Sequence, residues 1–244
     1  VTDALFLTDF DSRPVVGEVL HLAGDEGRHA AVVRRIVVDE PVLLSNGNGL
    51  GVRGRVTTAD RGGLTVEVEE VIEVPAPERR IVVVQALAKG DRSELAVEMA
   101  TELGVWEIVP WEASRSIVRW APERVERALR RWRSVAREAS KQSRRFRVPV
   151  VSLPTSTRQL TARIPTAALA LVLHEDAAES ISAVDLPEKG EILVIVGPEG
   201  GVAPAELDAF TASGARPVLI SDGVLRTSTA GAVAVGQIFA LGAR

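Results

Sequence analysis

The sequence predicts an α/β protein in two parts, a small β-rich domain over residues 1–73 and a mainly parallel α/β domain over residues 78–244. Three observations carry this reading. Short β-type runs separated by turn signals fill the first seventy residues. The stiff link Val74-Pro75-Ala76-Pro77-Glu78 ends that pattern. Beyond it, apolar β-branched runs alternate with helical stretches, the order expected of a parallel sheet with crossover helices.

In the first part the β-type runs are 31–38, 41–44, 51–57 and 64–72, punctuated by Asn46-Gly47-Asn48-Gly49 and Asp60-Arg61-Gly62-Gly63. A helix over 24–35 competes with the first of these runs. In the second part the expected strands are 81–86, 107–110, 168–173, 192–196 and 217–220. Asp91 or Ser93 opens a helix carrying Leu95, Met99 and Leu103, and Gly104 closes it. Pro204 starts another, with Leu207 and Phe210 inward and Gly214 as its stop. The last helix starts near 227–229, and its small apolar face, with Ala230, Gly231, Ala234 and Gly236, suits either the sheet or a second subunit.

Composition removes several functions. With 46% hydrophobic residues in 244, the chain can bury a core without staples. The absence of cysteine excludes disulfides, thiolate metal sites and a cysteine nucleophile. His21, His29 and His174 are scattered without metal-ligand spacing, so no metal is expected. No apolar run approaches the roughly 20 residues of a membrane span, and the opening VTDALFLTDFDSR is unlike a signal peptide. The expectation is a soluble, cytoplasmic protein.

Charge is informative once located. The net charge is −4, yet residues 123–147 hold ten basic residues against three acidic ones, a local +7. Apolar positions at Val125, Leu129, Trp132, Val135 or Ala136, and Ala139 make this a helix after Pro122, with arginines on the opposite face. Such a face suits a polyanion, and arginine suits phosphate better than lysine does. A solvated helix face would carry the same periodicity. Past the helix, Phe146 among Arg144, Arg145 and Arg147 is a candidate for stacking on a base.

Two loops stand out as a ligand site. The run 192–196 stops at Gly197-Pro198-Glu199-Gly200-Gly201, and the run 218–220 stops in Ser221-Asp222-Gly223 before the last helix. Neither loop matches a triphosphate cradle or a dinucleotide fingerprint. They offer main-chain groups and apolar walls from Val196, Val202, Ile220, Val224 and Leu225, which suits an adenosine-like ligand. Two ordinary β–α turns are the alternative.

The GPEGG at 197–201, VLRTSTA at 224–230, KGDRSELAVEMATELGV at 89–105 and EASKQSRRFRVP at 138–149 together resemble the RsmE family, bacterial 16S ribosomal RNA methyltransferases of the SPOUT superfamily. The resemblance spans essentially the whole chain, since RHAAVVRRI at 28–36 is similar to that family's N-terminal PUA-like RNA-binding barrel.

The resemblance implies a PUA-like β-barrel followed by a SPOUT α/β domain with a C-terminal trefoil knot, one of the rare exceptions to unknotted folds. It implies a homodimer that uses S-adenosylmethionine to methylate N3 of a uridine, conventionally U1498, in 16S rRNA of the small subunit. The implied cofactor residues are Leu173, His174, Gly197, Pro198, Glu199, Gly200, Ile220, Ser221, Asp222, Leu225 and Thr227. The implied RNA grip uses Arg28, Arg34 and Arg35, with Arg53 and Arg55 beside them, and Arg130, Arg131, Arg137, Arg144 and Arg145. The family pattern L-G-x-R-I-L-R-x-E-T-A is altered here to Ser221, Gly223 and Ser228 where it has glycine, arginine and glutamate. Arg226 keeps the second arginine and is the candidate catalytic residue, stabilising charge on the uracil oxygens. Glu199 and Asp222 are candidate proton acceptors or loop-capping groups. A different RNA site, or an RNA-binding ribosome-assembly module without catalysis, are the alternative functions.

Overall fold

The β-type runs of the first part pair into a five-stranded sheet in the computed structural model, which describes residues 3–242. Val1, Thr2, Ala243 and Arg244, at the ends of the two expected domains, lie outside the described residues. Strands β1 (Ala4–Leu7), β2 (Val19–Leu22), β3 (Pro41–Ser45), β4 (Leu50–Asp60) and β5 (Gly63–Glu73) lie in the order β1-β3-β4-β5-β2. Alternation along β4 and β5 turns Val52, Val56, Val66 and Val68 inward onto Phe6, Leu22, Val42 and Leu44. The β4–β5 turn is held by the Asp60 carboxylate, which accepts the Gly62 N–H at 2.7 Å.

The expected strand over 31–38 does not form. Helix α1 (Gly24–Arg28) runs on into a π-helical turn, His29–Val33. From His29 to Val38 only Ala30 and Ile36 are buried, while Val32, Val33, Val37 and Val38 are exposed. The β-branched composition suggested a strand, but the helical turn is what delivers Ala30 and then Ile36 to the core.

The chain divides into two compact units, Val1–Ala76 with Ser140–Val148, and Pro77–Ala139 with Pro149–Arg244. The stretch Ser140–Val148 is fastened to the first unit by main-chain bonds: Gly49 N–H donates to Phe146 O at 2.8 Å and Val148 N–H to Gly47 O at 2.9 Å. The Phe146 ring occupies the space where a Cβ on Gly51 would stand. Phe146 is thus a packing residue of the β-rich unit, not a free stacking platform.

The second unit is a seven-stranded, wholly parallel sheet. Its elements are β6 (Arg79–Ala86), α2 (Arg92–Leu103), β7 (Glu107–Glu112), α3 (Pro122–Gln142), β8 (Val150–Val151), β9 (Thr155–Ser156), α4 (Thr157–Arg163), β10 (Leu169–Leu173), β11 (Gly190–Val196), α5 (Pro204–Ala212), β12 (Arg216–Val218) and α6 (Thr227–Gly242). The strand order is β12-β10-β11-β6-β7-β8, with β9 also paired to β7. β6 and β11 are apolar nearly throughout because helices cover both faces. One face, with Val82, Val84, Leu193 and Ile195, packs on Leu160 of α4 and Phe210 of α5. Full burial of each such side chain contributes about 1.5–3 kcal/mol.

The other face meets α6. A Cβ on Gly231 would stand 3.3 Å from Val196 and 3.6 Å from Val83, so this part of the small stripe of the last helix lies on the sheet, whereas a Cβ on Gly236 would meet nothing within 4 Å. On α2 the buried face is Ser93, Ala96, Val97, Ala100 and Thr101, and Leu95 is exposed. The expected helix forms and contains Leu95, Met99 and Leu103, of which Met99 and Leu103 are half-buried; a helix pressed against α6 favours small residues at the contact. Neither expected cap bonds the α2 start, since the Asp91 side chain makes no cap bond and the Ser93 hydroxyl serves Ala88. Gly104 does close α2 in the left-handed region, with φ 83°.

Candidate functional site

Three neighbouring parallel strands, β12, β10 and β11, release their loops at one edge of the second unit's sheet. These are the loops at Leu173-His174, 197–203 and 219–226. Consecutive strands β11 and β12 flank β10 on opposite sides, so the chain crosses over β10 between them. Carboxyl ends at such a crossover are where open α/β sheets hold ligands. The expected cofactor residues from all three segments therefore share one edge of the sheet.

Local bonds hold each loop. His174 N–H donates to Val218 O at 3.1 Å, and the His174 Nδ1 accepts the Asp176 N–H. Pro198 is buried and Gly201 N–H returns to Pro198 O at 2.9 Å, closing a tight turn. Arg115, in the loop after β7, donates to Gly200 O at 3.1 Å. The Ser221 hydroxyl accepts the Gly223 N–H at 3.2 Å.

Thr227 joins two of these loops. As the first residue of α6 it is buried, and its hydroxyl donates to Gly197 O at 2.7 Å while accepting from Gln85 Nε2 at 2.9 Å. The Thr227 side chain is consumed in tying the loops together. Glu199 is similarly engaged: its Oε1 accepts the Lys89 N–H at 3.1 Å and lies 3.6 Å from Arg92. It caps the segment leading to α2 and is not a free base. Asp222 is exposed, with the Ser221 hydroxyl 3.4 Å away.

Main-chain donors are what the last loop offers. The N–H groups of Ser221, Asp222, Val224 and Leu225 have no hydrogen-bond partner among the described residues. Leu173, Ile220 and Leu225 supply apolar surface of mixed exposure beside them. Unpaired amides beside apolar walls fit a purine-bearing ligand such as S-adenosylmethionine. Arg226 is exposed, with no ion-pair partner among the described residues, and its carbonyl accepts Thr229 and Ala230 N–H at the α6 start.

The buried carboxylate of Glu206 was not among the sequence candidates. It accepts the Ser114 N–H and hydroxyl, the Thr157 hydroxyl and the Ala203 N–H, thereby fixing the loop that carries Arg115. Gln85 and Gln237 were also missed. They are polar residues within apolar strand and helix patterns, and that incongruity was the available signal.

The basic residues divide by environment. On α3, Leu129, Trp132, Ala136 and Ala139 are buried as the stripe requires, and Trp120 packs edge-on against Trp132 at 5.3 Å. Arg131 pairs with Glu94 at 2.8 Å, and Arg130 and Arg133 lie near Glu126. Arg124, Arg127 and Arg137 are exposed without an ion pair among the described residues. In the first unit Arg28, Arg34 and Arg35 are exposed. Arg53 and Arg55 are ion-paired within the unit, with Asp3 at 2.7 Å and Glu69 at 2.6 Å. Arg144 donates to Asp3 O at 2.9 Å, and burial lowers the pKa of the Arg145 guanidinium. The described residues contain no metal-binding cluster and no helix long and apolar enough to cross a membrane.

Comparison with known proteins agrees with this geometry. Residues 75–239 match the RNA methyltransferase domain family. A ribosomal RNA small subunit methyltransferase E from Mycobacterium bovis is 44% identical over 96% of this chain and 91% of its own length. A crystal structure of ribosomal RNA small subunit methyltransferase E from Neisseria gonorrhoeae bound to S-adenosyl methionine superposes with TM-score 0.87 at 26% identity, covering 98% of each chain. A Legionella pneumophila methyltransferase in complex with SAM gives the same TM-score, identity and coverage. By the family match and the identity along nearly its full length, this chain belongs to the ribosomal RNA small subunit methyltransferase E family.

Proposed function

We propose that this protein methylates N3 of one uridine, conventionally U1498, in 16S rRNA of the small ribosomal subunit, using S-adenosylmethionine. The observation that carries the reading is the meeting of the β10, β11 and β12 loops at one sheet edge, with Thr227 bonded to Gly197. Bound there, S-adenosylmethionine supplies a methyl group activated on a sulfonium. Ser221, Asp222, Val224 and Leu225 offer main-chain donors to its polar edge, and Leu173, Ile220 and Leu225 its apolar wall.

Arg226 is the residue proposed to touch the target base. Its exposed guanidinium would stabilise charge developing on the uracil oxygens as the N3 proton leaves. Since Glu199 is occupied by Lys89 N–H and Arg92, the exposed carboxylate of Asp222 is the proposed proton acceptor. The first unit is proposed as a PUA-like barrel gripping RNA through Arg28, Arg34, Arg35, Arg144 and Arg145. The α3 face adds Arg130, Arg131 and Arg137. The crossing of β11 to β12 over β10 supports a knotted SPOUT arrangement, and the family supports a homodimer working in the cytoplasm.

Mass spectrometry of 16S rRNA from cells lacking the protein tests the reading. One 3-methyluridine should disappear and return with the wild-type gene; an unchanged RNA overturns it. Calorimetry with S-adenosylmethionine separates catalysis from a bare binding module, which would give no heat.

A further inference from the structure

Two glutamines, Gln85 buried and Gln237 half-buried, stand behind the ligand loops with the same bonding pattern. Gln85 is 1% exposed at the end of β6, and its Nε2 donates to Thr227 Oγ1 at 2.9 Å and Ala86 O at 3.2 Å. Thr227 passes the bond on to Gly197 O at 2.7 Å. Gln237, on α6, donates from Nε2 to Ile220 O at 3.0 Å. In both glutamines Oε1 is buried and accepts no hydrogen bond among the described residues. The orientation of each carboxamide follows from its partner. Ile220 offers only a carbonyl, so an N–H must face it, and Thr227, already donating to Gly197, must accept.

We infer that Gln85 and Gln237 are positioning residues that aim the main-chain groups of the two ligand loops, Gln85 through Thr227 at Gly197 and Gln237 directly at Ile220. This rests on the reading of those loops as the S-adenosylmethionine site. A leucine at either position would fill the same space without stranding a carboxamide oxygen, which costs stability. What leucine lacks is the N–H donor. The peptide bond between Ile220 and Ser221 is trans, so pulling the Ile220 carbonyl toward α6 turns the Ser221 N–H the opposite way, away from the helix. That N–H is one of the unpaired donors of the loop. Gln237 thereby sets the direction in which the loop presents a donor, and Gln85 keeps the GPEGG loop in register with it. Neither glutamine touches the ligand in this arrangement.

Calorimetric titration of the full chain with S-adenosylmethionine, alongside the amide spectrum of Ser221 in the free protein, tests the inference. Gln237→Glu sets a carboxylate against a carbonyl, and should weaken binding about tenfold or more and move the Ser221 amide signal. In turnover the loss should fall on KM for S-adenosylmethionine and leave kcat within about twofold, as expected when binding is lost equally from ground and transition states. Thr227→Val should weaken binding similarly, while Thr227→Ser, which keeps the hydroxyl, should bind like wild type. Should Gln237→Glu fail to fold, the Thr227 pair decides. Wild-type affinity in folded Gln237→Glu and Thr227→Val, with an unmoved Ser221 amide, overturns the inference. Failure of the wild-type protein itself to bind overturns instead the reading of the site, and the Ser221 amide shift still decides the positioning.

Discussion

The Glu206 carboxylate accepts both the main-chain N–H and the hydroxyl of Ser114, each at 2.9 Å. Glu206 also accepts from Thr157 and Ala203, so one buried side chain fastens the start of α5 to the loop after β7 and the start of α4. Glu206→Ala strands these donors and should destabilise the second unit by about 3 kcal/mol or more. Glu206→Gln, which keeps the shape but must turn one N–H toward another donor, should cost less. Denaturant unfolding of both variants measures the difference.

Arg226 is exposed and has no ion-pair partner among the described residues, so its removal leaves none of their buried groups without a partner. Arg226→Ala should keep the wild-type melting temperature within about 2 °C, since such surface changes are usually within 0.5 kcal/mol. Its methylation rate should fall on the order of 10²-fold, the scale of a lost charge-stabilising donor. S-adenosylmethionine affinity should change little. An unchanged rate removes Arg226 from the chemistry.

Ion pairing on α3 separates its arginines into two groups. Arg131 is ion-paired with Glu94 and lies near Asp91, whereas Arg127 and Arg137 have no ion pair among the described residues. Reversing Arg127 and Arg137 to glutamate should weaken RNA binding and reduce the salt slope by about one unit per lost phosphate contact. Reversing Arg131 alone should also reduce the slope, but by less, since Glu94 already meets part of its charge, and should cost stability as well. Filter binding across a salt series distinguishes these outcomes, and equal slopes would mark α3 as a solvated face.

At the sheet edge opposite the loops, Arg163 holds Glu107 through two hydrogen bonds, at 3.1 and 2.6 Å, and reaches Glu191 at 3.2 Å. Burial raises the Glu107 pKa, but the hydrogen bonds from Arg163 and Ser152, with the guanidinium charge, outweigh it and leave the carboxyl below its ordinary value of 4.5. A depressed folded-state pKa means stabilisation that is complete above 4.5 and lost as pH falls through the lower folded value. The stability gap between wild type and Glu107→Gln should therefore be constant near neutrality and shrink in acid. Urea unfolding at several pH values measures it.

Strands β6 and β11 were legible because a parallel sheet covered on both faces demands continuous apolar runs, and α3 because its stripe and its charges separate cleanly. The first two strands were not, being four residues each, too short for a period to emerge. Residues 31–38 misled through their valines, since β-branched composition does not reveal that a partner strand is missing. Of the site, the glycine loops and Arg226 were readable as motifs, while Gln85, Gln237 and Glu206 lie far apart in the chain and acquire meaning only through their partners.

The sequence by itself determined the α/β class, the two glycine loops, the basic helix and the family, because periodicity, turn chemistry and motif order are local properties of the chain. Only the tertiary structure decided that Ser140–Val148 joins the β-rich unit, that Arg53 and Arg55 are ion-paired, that Glu199 is already occupied, and that Thr227 bonds Gly197. A charge or hydroxyl is less available to a ligand once a neighbour has claimed it. Those neighbours are brought close by strand pairing and helix packing over separations that no local pattern encodes.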